Sequence, residues 1–163
     1  MDGKLRNMTS IYITKGDEIL LLYRQGGKVV NEVWTGSAGG HFEDFECNDA
    51  RACVLRELQE ELNVSEEILE DLRLRYITLR SINGEIRQNY FFFAQLREGI
   101  EINFYSNEGT LKWFAKSEVL NLDMPYSAKF VVKHYLETGH TNDMLYVGVA
   151  NGEDVVFTKL PEA

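Results

Sequence analysis

The stretch from Gly39 to Val64 reads GGHFEDFECNDARACVLRELQEELNV, a glycine pair running through an acidic loop into a segment that carries Arg56, Glu57, Glu60 and Glu61. From about Asp49 to Leu62 the apolar residues Val54, Leu58 and Leu62 recur every four positions, and Leu55 widens the stripe, which is the pattern of a helix laid on a core. At about 100° per residue, Glu57, Glu60 and Glu61 fall within one arc beside that stripe. Ala50 and Cys53, their neighbours on the same face, are small and leave room. Asn48 or Asp49 is placed to cap the start of the helix. Asn63 is placed to take the left-handed conformation that stops it.

Two carboxylates about 5 to 6 Å apart repel by about 3 kcal/mol at an effective dielectric near 20, so three on one face call for a counter-charge. A divalent cation supplies it, and hard oxygen ligands select Mg²⁺ or Mn²⁺. A run of E-L-Q-E-E by itself is more often a solvated helix face than a metal site. What separates this one is its company: Gly39-Gly40, Glu43 and Glu46 before it, and Arg56 directly ahead of Glu57.

These residues together resemble the signature of the Nudix hydrolases, which runs glycine, five residues, glutamate, seven residues, then R-E-apolar-x-E-E-x-G-apolar. Gly40, five residues and Glu46 match, as does Arg56-Glu57-Leu58-Gln59-Glu60-Glu61. Two positions depart from it: nine residues, Cys47 to Leu55, stand where the signature has seven, and Asn63 stands at the last glycine. The extra pair lies ahead of the first helical turn, where it does not rotate the carboxylates relative to one another. Asparagine is the residue that best replaces glycine in a left-handed conformation.

The resemblance implies an α/β fold, an α/β/α sandwich around a mixed central β-sheet, and Mg²⁺- or Mn²⁺-dependent hydrolysis of a nucleoside-diphosphate-linked small molecule. It implies metal ligation by the Gly39 carbonyl with Glu57, Glu60 and Glu61, Glu61 being the firmest ligand. Glu57, with Glu60 second, is implied as the base, and Arg56 as the partner of Glu46 that braces the loop against the helix. A later acidic loop in the family makes Glu108 a candidate additional acid. The loop and the stretch Glu108 to Phe114, EGTLKWF, resemble most the MutT-type nucleoside triphosphate pyrophosphohydrolases, including those that remove oxidised purine nucleotides. An ADP-ribose or dinucleotide pyrophosphatase is the alternative within the family. A nucleotide-binding sensor without catalysis is the alternative outside enzymes, and the intact Glu57, Glu60 and Glu61 argue against it.

With 163 residues, the chain is expected to form one domain over residues 1–163, large enough for a real core. The 26 acidic against 17 basic residues give a net charge of −9 with no basic cluster along the sequence, which argues against a nucleic-acid polymer as partner. A free nucleotide stays open, because a bound cation neutralises phosphates locally. Two cysteines, Cys47 and Cys53, make neither a disulfide framework nor a zinc pattern and are expected as reduced thiols. No apolar run reaches membrane-spanning length and the first residues lack a signal-peptide core, so the expected location is the cytoplasm, away from membranes.

Along the rest of the chain, Thr9 to Lys15 and Glu18 to Tyr23 read as strands joined through Gly16-Asp17, followed by a polar loop from Arg24 to Val33. Ser65 opens a short helical turn, and Leu72 to Ile82 and Glu85 to Leu96 flank the hairpin signal Asn83-Gly84. The run Asn89 to Phe93 places aromatics on both faces of its strand, either buried on both sides or lining a pocket on one. Trp113 is a candidate to stack on a nucleobase, with core packing as the rival reading, and His41 a candidate phosphate contact. Ser117 to Leu120 is a short helical turn, and Ser127 to Glu137 a second helix with Ala128, Val131, Val132 and Tyr135 on its apolar face. His134 and His140 have no metal-like spacing. A C-terminal hairpin at about 142–158 extends the family core, as cover for a sheet edge or as a homodimer contact.

Overall fold

The computed structural model describes residues 2–27 and 31–163. The elements, in chain order, are β1 (Lys4–Lys15), β2 (Glu18–Arg24), β3 (Val33–Thr35), α1 (Ala50–Leu62), β4 (Leu69–Ile82), β5 (Glu85–Leu96), β6 (Gly109–Ala115), α2 (Tyr126–Glu137), β7 (Tyr146–Ala150) and β8 (Val155–Lys159). One mixed sheet runs β3-β2-β1-β5-β4-β7-β8, with β6 added to β2. The β1–β5 and β4–β7 pairs are parallel and the others antiparallel. Among the described residues no helix is long and apolar enough to cross a membrane.

A fork between β1 and β2 positions the site. β6 pairs with β2 from Glu18 to Arg24, so the opposite edge of β2 is shared: β1 pairs with Glu18 to Leu20, and β3 with Leu22 to Arg24. Past β3 the chain crosses to β1, where Ala38 O and Gly40 O accept from Ile11 N and Thr9 N, and Phe42 N donates to Asn7 O. The glycine pair is therefore held at the mouth of the fork by backbone bonds on the free edge of β1.

Two apolar layers sandwich the sheet. α1 buries Val54, Leu58 and Leu62 against Ile11, Ile13, Leu20 and Phe92; α2 buries Ala128, Val131 and Val132 against Tyr12, Ile19, Tyr76, Phe91 and Phe93. The aromatic run of β5 thus alternates, Phe92 to one layer and Phe91 and Phe93 to the other. A buried phenylalanine contributes about 1.5–3 kcal/mol, so these three rings anchor the strand from both faces, and Phe93 also borders a small cavity of about 100 Å³ with Thr14, Arg75 and Tyr135. Tyr135 stacks on Phe93 with ring centroids 3.9 Å apart.

The structure departs from the sequence reading mainly at element ends. β1 starts at Lys4 rather than Thr9, because its polar first half is held in register by β5, from Lys4 opposite Glu85 onward. β4 starts at Leu69 rather than Leu72, where it pairs with Leu96. The expected loop from Arg24 to Val33 ends in a short strand, β3, and its residues 28–30 lie outside the described residues. Asn83 and Gly84 both have positive φ, +51° and +78°, as a two-residue turn of the mirror-image type requires. The C-terminal hairpin spans β7 and β8: β7 covers the edge of β4, and β8 becomes the last strand of the sheet.

Candidate active site

α1 presents its polar face to the fork. Asp49 caps the helix by accepting from Ala52 N at 3.0 Å. Asn63 ends it at φ +53°, its N–H bonded to Gln59 O. Asparagine thus fulfils the left-handed requirement usually met by glycine. Gly39, at φ +154°, runs so close to β1 that a Cβ there would lie 2.3 Å from Thr9 O, and only glycine permits that approach.

Arg56 is the hub. Its Nε and Nη2 donate to both oxygens of Glu46, at 2.6 and 3.1 Å, and its Nη1 donates to Glu57 and to Glu60, each at 2.8 Å. Nη2 also donates to the His41 carbonyl at 3.0 Å. Glu46 is fully buried and also accepts from Glu43 N, so the acidic loop is tied to the helix through one side chain. The Arg56 hydrogen bonds hold the Glu46 carboxyl below the usual carboxylate range, against the opposing effect of burial. The same carboxylates push the Arg56 guanidinium's pKa upward.

Glu57 and Glu61 face the fork and Glu60 turns out to solvent, with 58% of its side chain exposed. Burial raises the pKa of Glu57. Glu61 is pushed up to about 7, first by burial, with Arg24 and the Gly39 N–H opposing the shift. Arg24, at the end of β2, is the residue the sequence reading missed. Its Nη2 donates to Glu61 Oε1 at 2.9 Å and to Gly39 O at 3.2 Å, and its Nη1 lies 3.6 Å from Glu108. Gly39 N donates to the other oxygen of Glu61 at 3.1 Å. The signal was in the period of β2: Leu20, Leu22 and Arg24 share a face, and Leu20 faces α1.

The structure brings Gly39, Glu46, Arg56, Glu57, Glu61 and Glu108 to the fork, with Glu60 at its rim. His41 sits beside it, but its imidazole Nε2 accepts from Arg6 Nε at 2.6 Å. Burial, then Arg6, lowers the His41 pKa, so the ring stays neutral near pH 7. Trp113 lies across from Leu20 and packs with Phe104 against the α1 layer. It also lines a cavity of about 400 Å³ with Lys15, Leu96 and Ile100. That position is four residues along β6 from Gly109, the partner of Arg24, or about 13 Å at strand rise. Both cysteines are free; Cys53 is buried under the loop within 3.3 Å of Thr9 Oγ1.

Gly40 lies against the Glu57 carboxylate: a Cβ there would come 2.3 Å from Oε1 and 2.5 Å from Cδ. Gly40→Ala should leave the fold in place and displace Glu57. Misplacements of about 1 Å cost up to about 10²-fold in rate, so a loss of that order in kcat at unchanged melting temperature is expected, and wild-type kcat would show that the position of Glu57 does not matter.

The family model for the NUDIX domain matches residues 4–135, and the chain belongs to the Nudix family. As a family these are pyrophosphohydrolases that use a divalent metal such as Mg²⁺. A search of curated proteins finds no significant match. Among solved structures, the MutT protein of Bacillus halodurans is similar at 25% identity, covering 97% of this chain and 99% of its own, with a TM-score of 0.64. A Nudix hydrolase of Nitrosomonas europaea is similar at 19% identity over 92% of this chain and 81% of its own, TM-score 0.71. An Ap4A hydrolase of C. elegans shares the fold at 15% identity over 84% of this chain and 99% of its own, TM-score 0.66.

The donors at the fork suit a hard divalent cation. A backbone carbonyl and a carboxylate oxygen converge on a single positively charged atom, Arg24 Nη2, and the oxygen ligands Mg²⁺ takes are of these two kinds. Glu46, Glu57, Glu60, Glu61 and Glu108 outnumber the guanidiniums of Arg24 and Arg56, the two that pair with them, so the site as built remains anionic. With the side chains turned to these arginines, no three His, Cys, Asp or Glu groups among the described residues are gathered around one point.

Proposed function

We propose that the chain is a Mg²⁺- or Mn²⁺-dependent hydrolase of nucleoside-diphosphate-linked substrates, acting as a nucleoside triphosphate pyrophosphohydrolase of the MutT type. The observation that supports it is the meeting of the Gly39 carbonyl and Glu61 on one cationic atom, with buried Glu57 beside them. Likeness to a MutT protein over nearly the whole of both chains supports the MutT type within the family.

In this reading Glu61 and the Gly39 carbonyl hold the metal, with Glu57 and Glu60 completing the set. When bound, the metal neutralises the diphosphate and lowers the pKa of a water. Glu57 accepts the proton of the attacking water. Burial supports that role, because it raises the carboxylate's basicity. Arg24 withdraws from Glu61 and turns its charge to the phosphates, which guanidinium geometry suits. Arg56 fixes the direction of Glu57 while holding Glu46. Glu108, within reach of Arg24, adjusts the charge at the fork, and Trp113 stays in the core rather than stacking on the base.

A panel of nucleotides incubated with Mg²⁺ tests the proposal by its products. Pyrophosphate with a nucleoside monophosphate is expected. AMP with ribose phosphate would replace the triphosphate by ADP-ribose, and splitting of dinucleotides alone would make it a dinucleotide pyrophosphatase. Nucleotide binding without turnover would leave a sensor.

A further inference from the structure

On the face of the sheet opposite α1, three arginines stand side by side. Arg6 on β1, Arg87 on β5 and Arg80 on β4 are in-register partners, and partners in register leave a sheet on the same side. Like charges directly opposed destabilise strand pairing, and here three line up in a chain of net charge −9. One carboxylate serves the row: Glu85 accepts from Arg87 Nε at 2.8 Å and lies 3.6 Å from Arg6 Nη1. The Arg80 guanidinium lies 4.7 Å from the centre of the Tyr126 ring and has no salt bridge among the described residues. The row therefore keeps an excess of positive charge.

The neighbouring row of the same face is polar and incomplete. Asn89 is the partner of Thr78 on one side and of Met8 on the other, and Met8 in turn bridges to His41. Asn89 Oδ1 and Thr78 Oγ1 are buried with no hydrogen-bond partner among the described residues, Thr78 being only 1% exposed. A buried polar atom left unpaired costs about 1–3 kcal/mol, so this row lacks polar partners, and Asn89, which is half-buried, is the member a polar ligand can reach. His41 joins both rows to the fork: its ring accepts from Arg6, and its carbonyl accepts from Arg56.

We propose that this face is a second anion subsite, in which Arg6, Arg80 and Arg87 receive a phosphate of the substrate other than the one attacked at the carboxylates. The half-buried Asn89 takes a hydrogen bond from the sugar or base attached to it. The inference rests on the nucleotide reading above and deepens it: the preferred substrate carries an anionic group beyond the diphosphate that is split.

The test is calorimetric titration of the full chain in EDTA, with sodium pyrophosphate and then a nucleoside monophosphate as probes. Saturable binding is expected for the wild type, and about tenfold weaker binding of both probes for Arg80→Gln and Arg87→Gln, the size expected for losing one charge-assisted hydrogen bond. Arg80→Lys and Arg87→Lys should retain most of the affinity, and melting curves should show all four variants folded. Arg51→Gln, the same charge change on the outer side of α1, should bind as the wild type does. Asn89→Ala should weaken the monophosphate and leave pyrophosphate unchanged.

Wild-type affinity in both glutamine variants, or a loss confined to Arg24→Gln, would overturn the subsite. So would the absence of saturable binding to about 1 mM, the limit of weak recognition. Equal effects of Asn89→Ala on both probes would overturn the sugar or base contact. The titration needs neither metal nor turnover. A chain that splits no nucleotide but loses pyrophosphate binding in Arg80→Gln refutes the proposed reaction and keeps the subsite. A chain that splits nucleotides and shows no such loss refutes the subsite alone.

Discussion

Glu61→Gln is expected to lower Mg²⁺-dependent turnover by about 10³-fold, equivalent to about 4 kcal/mol of transition-state stabilisation. The substitution keeps size and shape, and an amide oxygen can still accept from Gly39 N at the 3.1 Å contact. What it removes is the negative charge placed beside the Gly39 carbonyl, on a little-exposed carboxylate that Arg24 holds. Folding should change by no more than about 1 kcal/mol, the usual scale of a partly exposed ion pair, so circular dichroism and the melting curve should stay close to wild type. Titration of Mn²⁺ followed by electron paramagnetic resonance should show weakened ion binding in the same variant. Full turnover with unchanged Mn²⁺ affinity would remove Glu61 from the metal's ligands.

Arg56→Ala is expected to cost about 3–5 kcal/mol of stability, the range for removing one partner of a buried ion pair. Glu46 is fully buried and would lose both bonds to the guanidinium. The pH dependence follows from the direction of its shift. Glu46 titrates below its ordinary range in the folded chain, so its contribution is present above the unfolded value and is lost as the pH falls through the depressed one. Without Arg56 the Glu43 N–H still favours the carboxylate, but burial loses its main opponent, so the Glu46 pKa rises and most of that contribution is lost. The stability gap between wild type and variant should therefore narrow as the pH falls below about 5. Urea unfolding at neutral and acidic pH checks both statements, and a gap that widens in acid would show that Arg56 does not govern Glu46.

What the sequence revealed and what it hid divide by distance along the chain. The extent of α1, its stop at Asn63 and the turn at Asn83-Gly84 follow from local periodicity and turn chemistry, and they were legible. The first half of β1, Lys4 to Met8, is polar and unpatterned; it becomes a strand because β5, some eighty positions on, lies alongside it in parallel. β3 likewise exists only because β2 parts from β1 and leaves an edge open. At the site, the spacing that aligned Glu57, Glu60 and Glu61 on one face could not show that Glu60 would lean to solvent on Arg56. Nor could it show that Arg24, 37 residues before Glu61, would close on it. The three-arginine row was invisible for the same reason, since Arg6, Arg80 and Arg87 meet only through strand register.

The Arg24 bridge has a bearing on how the chain copes with metal supply. Two carboxylates with little exposure at an anionic fork would ordinarily make folding wait for an ion, as in domains that are unstructured until loaded. Here the polypeptide brings its own internal counter-ion from the end of β2, so the newly made chain is expected to fold in a chelated, metal-poor medium. Under the proposed function, loading would be an exchange of one cation for another without refolding, and availability of the ion would govern activity rather than survival of the protein.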